Sequence, residues 1–184
     1  MQVLGGQGYG ESGRGVALVY DRAAVSVMDL GIERSALYSH DSGRRLFMIG
    51  ENAASANLMK LAANALTATM LVCMGEVLAL LRKGGIDRHA AYDVLTNSLF
   101  DSRVHKTYGG KIVDERYTPP GFAVALATKD LRLALAAAEK SQVPMPAASL
   151  VHDRLVELAA RGWAELDWSA LGLLAAVDAG LSEA

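Results

Sequence analysis

The chain has 184 residues, of which 52% are hydrophobic and only 6% aromatic, and its formal net charge is −2. This length fits one domain, or one domain with part of a second, and it allows a substantial core. The aliphatic composition favours packed helices, and the slight negative charge argues against non-specific nucleic-acid binding. The single cysteine, Cys73, excludes a disulfide framework. Because the opening residues also lack the pattern of a signal peptide, we expect a cytoplasmic protein.

The first 50 residues have the pattern of a small α/β piece. Six glycines occur within residues 1–15, and a β-like run follows at residues 16–20. A helix is plausible after Asp21 and Arg22, and residues 45–49 form a second β-like run. This strand, helix, strand piece is too small to stand alone.

From residue 52 onward the pattern predicts helices only. Gly84 and Gly85 end the first helix, Asp87 is a suitable N-cap for the second, and Asp167 for the last. The predicted helices cover residues 53–82, 87–98, 101–113, 122–141, 147–161 and 167–179. We therefore predict a mainly α protein with an all-α domain of six helices.

One stretch of the first helix, residues 61–81, is apolar and about long enough to cross a bilayer. Asn64, Thr67, Thr69 and Glu76 interrupt it, and a carboxylate near the middle of a membrane is costly. A buried helix, covered in part by a partner subunit, is the favoured interpretation, and a membrane-associated helical protein is the alternative.

Two sets of residues resemble known sites but are better explained otherwise. Residues 8–13 match GxGxxG, yet a β-like run rather than a helix follows them, so a glycine loop is the simpler interpretation. The histidines lack metal-ligand spacing, which favours surface or capping roles. They are His40, His89, His105 and His152.

A group of acids near the C-terminal helices could in principle serve hydrolysis as paired carboxylates. Their spacing is ordinary for a surface, so we expect them on solvated faces. They are Asp153, Glu157, Glu165 and Asp167.

Lys60 and Asn64 are more informative, because their spacing places an ammonium and a carboxamide on one face of an apolar helix. The lysine either extends to water or points into a polar cleft that needs a proton donor. Lys129 and Asp130, on a later helix, would alone be an ordinary polar stripe. Together with Lys60 they place two lysines on apolar helices, which is less common.

Three segments resemble signatures of the β-hydroxyacid dehydrogenases. Residues 49–64, with Lys60 and Asn64, resemble the KxxxN signature that opens the family's helical domain. Phe122, followed seven residues later by Lys-Asp-Leu at 129–131, resembles the second signature. Residues 167–171 are similar to its D-x-S-A end. The three motifs occur in the family's order and cover residues 46–184.

The resemblance implies a helical domain at residues 50–184, similar to the C-terminal domain of 6-phosphogluconate dehydrogenase. Residues 1–49 would then be the end of a truncated Rossmann domain, with residues 3–6 at the start of the family's substrate-contacting strand. Because no phosphate-binding turn precedes the helices, we expect no turnover from these 184 residues alone.

The activity that the resemblance implies is hydride transfer between NAD or NADP, with NADP slightly favoured, and a small β-hydroxyacid or aldehyde acid. Lys60 would be the catalytic proton donor and acceptor. Asn64, Gly5 and Gly6 would bind the substrate. The cofactor would be bound by Lys129, Phe122 and Asp130.

Two further expectations concern partners. We expect a homodimer formed through the long helix at residues 53–82, as the resemblance also implies, with a small-molecule substrate and neither nucleic acid nor membrane as a partner. The alternative function is a non-catalytic all-α dimerisation or scaffold module that has lost its cofactor domain.

Overall fold

The computed structural model describes residues 15–20, 25–30, 45–50 and 53–181. The chain divides into two compact units, residues 1–60 and residues 61–184. The predicted GxGxxG pattern at residues 8–13, the substrate-binding Gly5 and Gly6, and His40 lie outside the described residues.

The first unit contains a three-stranded sheet with the order β2-β1-β3. Its strands are β1 (Gly15–Tyr20), β2 (Val25–Leu30) and β3 (Arg45–Gly50), and β1 is antiparallel to both neighbours. The two predicted β-like runs are therefore confirmed. That this unit is the end of a Rossmann domain stays a prediction.

The helix predicted after Asp21 and Arg22 is wrong for residues 25–30, which form β2 instead. Val25 and Val27 flank a serine, and β-branched residues that alternate with polar ones favour an extended strand. Pairing with β1 then satisfies the backbone of β2, with Val27 opposite Leu18. The local pattern therefore favours the strand, and pairing with β1 fixes it.

Helices make up the rest of the described chain, which confirms the mainly α fold with its six predicted helices. A 3-10 helix at Trp168–Ala170 directly precedes the last of them. The helices are α1 (Ala53–Lys83), α2 (Arg88–Thr96), α3 (Arg103–Val113), α4 (Val124–Lys140), α5 (Pro146–Ala160) and α6 (Leu171–Asp178).

The helix ends follow local capping. The Asp87 side chain accepts hydrogen bonds from the N–H groups of His89 and Ala90, as expected of an N-cap. Ser102, one residue after the predicted start, caps α3. Asp167 caps the 3-10 helix and not α6 itself. The sequence therefore placed most helix ends within one or two residues.

Helix α1 continues through Gly75 without a break. This glycine instead allows α1 to approach α6 closely. A Cβ atom at Gly75 would lie 2.7 Å from the Cα atom of Gly172 in α6. A Cβ atom at Gly172 would in turn lie 2.7 Å from the side chain of Ile112 in α3. Glycines at these two positions therefore bring three helices together at one point of the core.

By length and composition, α1 is the one helix in the described part of the chain that could cross a membrane, with a mean hydropathy of 1.7 over its most apolar window. A core helix passes the same test. The side chains of Leu71 and Leu78 are indeed buried in the core of the helical unit.

We expect Gly75→Ala to lower the free energy of unfolding by about 1–3 kcal/mol, because the new methyl group overlaps backbone atoms that cannot easily move. This overlap outweighs the gain of about 1 kcal/mol that alanine brings to a helix interior. Gly110→Ala in α3 is the matched control, since its Cβ would lie at ordinary contact distance from the Tyr92 hydroxyl oxygen and Cζ atom, 3.6 and 3.9 Å away. Urea denaturation should show the control unchanged or more stable. Equal changes in the free energy of unfolding for the two variants would contradict the close contact of α1 with α6 at Gly75.

Candidate functional site

A buried carboxylate connects α1 and α4 in the helical unit. Asp130 is only 2% exposed. The Asn64 amide donates a hydrogen bond from Nδ2 to Asp130 Oδ2 at 2.8 Å. Lys129 Nζ lies 3.6 Å from Asp130 Oδ1. Asp130 thus contacts two other residues predicted for the site, Asn64 and Lys129, although Asn64 lies 66 positions away in sequence.

The two lysines of the predicted site differ in their surroundings. The Lys129 side chain is 52% exposed, so its ammonium lies at the surface beside a carboxylate that water does not reach. Lys60 is half-buried and lies in α1, one turn before Asn64, within the first unit. Its catalytic role stays a prediction.

Phe122 lies just before α4 and packs against an aromatic neighbour. Its ring meets Trp168 edge to face, with centroids 4.8 Å apart, and Trp168 meets Tyr108 in the same way at 5.5 Å. The backbone N–H of Trp168 also donates to the Phe122 carbonyl oxygen at 2.9 Å. The position of Phe122 is therefore set by the segment that contains Trp168.

Asp167 is the residue that sequence reasoning placed wrongly. It was expected on a solvated face, but it is fully buried. Its Oδ2 atom accepts hydrogen bonds from Lys111 Nζ at 2.6 Å and from the backbone N–H groups of Gly121 and Phe122 at 2.8 and 3.3 Å. Its Oδ1 atom accepts from the N–H and hydroxyl groups of Ser169 at 3.0 and 2.6 Å. These five donors compensate for the loss of hydration.

Burial alone would raise the pKa of Asp167, but the hydrogen bonds from Lys111, Ser169 and Gly121 together hold it below its ordinary value. A signal for this site was present, since Asp two residues before Ser is typical of a side chain that caps its own turn. The donor Lys111, 56 positions away, could not be identified from that pattern.

The other three acids of this group and His105 have ordinary surroundings. Asp153 and Glu165 are exposed, and Glu157 binds Arg154 and Arg161 on its own helix. His105 Nδ1 lies 2.7 Å from the Ser102 hydroxyl at the start of α3. Among the described residues, no three His, Cys, Asp or Glu side chains are grouped to hold a metal ion.

Helix α1 also carries an apolar stripe on its exposed side. The stripe consists of residues spaced alternately by four and three positions, which places them on one face. Leu66 and Leu80, near its ends, are 74% and 71% exposed. Its exposed members are Leu66, Cys73, Val77 and Leu80, and Met70 between them is half-buried and also packs against the core.

Comparison with known proteins places these features in a family. Residues 54–174 match the family described as NAD-binding of NADP-dependent 3-hydroxyisobutyrate dehydrogenase. An uncharacterized oxidoreductase, YfjR, of Bacillus subtilis is 31% identical over 70% of this chain and 44% of its own length. Glyoxylate/succinic semialdehyde reductase 1 of Arabidopsis thaliana is 30% identical, with the same coverage of both chains.

Solved structures agree. The 3-hydroxyisobutyrate dehydrogenase of Salmonella typhimurium superimposes with a TM-score of 0.60 and 26% identity, over 68% of this chain and 42% of that one. The Mycobacterium tuberculosis enzyme gives a TM-score of 0.61 at 26% identity, over 68% and 45%. The chain spans less than half the length of the curated relatives in these comparisons.

We expect Asp167→Asn to lower the free energy of unfolding by about 3–5 kcal/mol near neutral pH, because an amide cannot replace all the bonds of the buried carboxylate and leaves Lys111 unpaired. Since the folded pKa lies below the unfolded value, this contribution is present above about pH 3.8 and disappears as the pH falls through the folded pKa. The difference between wild type and variant should therefore narrow below about pH 4.

Asp153→Asn is the control, because the Asp153 side chain is 88% exposed. Its effect should stay within about 0.5 kcal/mol. Denaturant titrations at several pH values measure both variants. A pH-independent difference for Asp167→Asn would contradict the assigned charge state.

Proposed function

The chain belongs to the 3-hydroxyisobutyrate dehydrogenase family, with residues 54–174 matching its C-terminal domain, and on this premise we propose that it is part of an NAD(P)-dependent oxidoreductase. The reaction is hydride transfer to or from a small β-hydroxyacid or aldehyde acid. Relatives named as reductases of glyoxylate, succinic semialdehyde and 2-hydroxy-3-oxopropionate, and as L-threonate dehydrogenases, support this substrate class. These compounds share a short carbon chain with a carbonyl or hydroxyl group.

The contacts of Asp130 with Asn64 and with Lys129 are the observation that carries the proposal. The hydrogen bond from Nδ2 to the buried carboxylate fixes the Asn64 side chain on α1. Groups held on rigid helices by a second layer of hydrogen bonds are suited to orient a substrate. Asp130 therefore supports both a substrate-binding amide and a cofactor-binding ammonium.

The described residues fit the nicotinamide end of the cofactor. Lys129 would offer an exposed ammonium to ribose oxygens, and the half-buried ring of Phe122 would offer an apolar surface. Asp130, which is buried, acts on the cofactor by holding Lys129. NADP is slightly favoured, in keeping with the description of the matching family.

In this proposal each residue has a separate role in the reaction. A bound nicotinamide cofactor supplies or accepts the hydride. Lys60 donates a proton to the substrate carbonyl oxygen during reduction and removes it during oxidation. Asn64, one turn away on α1, holds the substrate oxygen or carboxylate by hydrogen bonds. Gly5 and Gly6 contribute further contacts to the substrate in this proposal.

The alternative function is a non-catalytic all-α dimerisation or scaffold module. The exposed apolar stripe of α1 supports it, since such a surface suits association. Cofactor binding distinguishes the two functions.

Titration of the 184-residue chain with NADPH and NADH, followed by cofactor fluorescence, tests the proposal. We expect saturable binding that Lys129→Met weakens about tenfold, equivalent to about 1.4 kcal/mol. Lys140→Met, an exposed lysine in the last turn of the same helix, should leave affinity unchanged. Absence of binding would support the scaffold function instead.

Lys60→Ala is expected to leave cofactor affinity unchanged. In a longer natural chain that contains these residues and turns over, it should lower kcat by about two to four orders of magnitude through loss of the proton donor. KM should change less, because Asn64 still binds the substrate. Unchanged kcat would refute the catalytic assignment.

We also propose a homodimer in which the apolar stripe of α1 packs against the helical domain of a second copy. The alternation of four- and three-residue spacing is that of helices that pack side by side over several turns. An exposed stripe with two leucines more than two-thirds accessible is typical of an interface.

Light scattering should give about twice the chain mass of 19.4 kDa for the wild type at micromolar concentration. Leu66→Glu should give the monomer, because it introduces a charge into the apolar stripe. Leu150→Glu, on the exposed side of α5 and outside the stripe, should remain dimeric. A monomeric wild type, or a dimeric Leu66→Glu, would contradict this interface.

A further inference from the structure

The two oxygen atoms of Asp167 have different partners. Oδ1 accepts only from Ser169, two residues later, and so completes the 3-10 helix that Asp167 itself begins. Oδ2 accepts from Lys111 in α3 and from the backbone of Gly121 and Phe122, more than 40 positions away. One oxygen therefore serves local structure, and the other holds a distant segment.

The segment that Oδ2 holds, Gly121 and Phe122, leads directly into α4. The N-cap residue Ala123 makes no side-chain hydrogen bond, so α4 is not capped in the ordinary way. Instead, the N–H groups of Val124 and Ala125 donate to the carbonyl oxygens of Leu166 and Ala164 at 2.8 and 3.0 Å. Residues 164–168 thus replace the missing cap of α4.

Further backbone bonds extend this contact on both sides. The N–H of Asp167 donates to the carbonyl oxygen of Tyr117 at 2.9 Å, and Ala123 forms a β-bridge with Asp167 itself. Tyr117 and residues 121–125 are therefore attached to residues 164–168. Asp167 brings a negative charge to this attachment, and Lys111 balances that charge from α3.

We propose that Asp167 is a positioning residue for the cofactor site, which acts by fixing Phe122 and the start of α4 through its Oδ2 atom and Lys111. This inference rests on the proposed function of Phe122, Lys129 and Asp130. Lys129 and Asp130 lie in the second turn of α4, so a shift of the helix start moves both. The backbone N–H of Phe122 donates directly to Oδ2, so a shift of Oδ2 also moves Phe122.

Two variants separate the roles of the two oxygens. Lys111→Met removes the partner of Oδ2 but keeps an aliphatic stem of similar length, and Lys111→Arg restores the cation. Ser169→Ala removes the hydroxyl bond to Oδ1 and leaves every partner of Oδ2 in place. A purely structural role for Asp167 predicts that Lys111→Met and Ser169→Ala differ only in stability.

The first measurement is the fluorescence of Trp168 in a Trp163→Phe background, so that one indole reports. Because the buried Trp168 ring packs on Phe122, displacement of Phe122 should admit water and shift the emission to longer wavelength. We expect this shift in Lys111→Met, its reversal in Lys111→Arg, and no shift in Ser169→Ala. The spectra are recorded without denaturant, at a temperature at which circular dichroism shows that each variant is folded.

The second measurement is the affinity of the same variants for NADPH. We expect Lys111→Met to raise Kd about tenfold and Ser169→Ala to leave it within about threefold, a difference below 1 kcal/mol. Equal Trp168 spectra for Lys111→Met and Ser169→Ala would overturn the positioning role. If no variant and no wild type binds NADPH, the proposed function fails, and the Trp168 spectra still decide whether Oδ2 and Lys111 position Phe122.

Discussion

The cost of removing a carboxylate from water governs the arrangement of the helical unit. Asp130 and Asp167 are both buried, and an ion in that position is tolerated only when donors surround it. Asp130 receives the Asn64 amide from α1, and Asp167 receives Lys111 from α3 with two backbone N–H groups. Helices distant in sequence are thereby fixed to the two ends of one segment, residues 117–130.

Close packing around glycine completes this arrangement. The contact of Gly75 with Gly172 brings α1 against α6, directly after the 3-10 helix that Asp167 begins. The face of α1 that carries Leu71 and Leu78 is thereby committed to the core. Its opposite face keeps an exposed apolar stripe, so one helix serves packing on one side and, as we propose, association on the other.

Local signals in the sequence were sufficient for the helical unit but not for the contacts within it. Periodicity, the Gly84 and Gly85 stop and the Asp87 cap predicted six helices with ends close to those observed, because these features act within a few residues. The strand at Val25–Leu30 was missed, since its conformation depends on pairing with β1. The same holds for Asp167, whose burial depends on a lysine in a distant helix.

The candidate site contains both a feature that the sequence identifies and a contact that only the fold determines. Lys129 and Asp130 adjoin in one motif, so the sequence identifies both groups together, and Lys129 Nζ lies 3.6 Å from Asp130 Oδ1. The bond between Asn64 and Asp130 connects helices 66 positions apart, and only the fold brings its two atoms to 2.8 Å. Because that bond uses the amide nitrogen of Asn64, it also settles which end of the carboxamide faces Asp130. The sequence identifies the groups of such a site, whereas their orientation is a property of the packed helices.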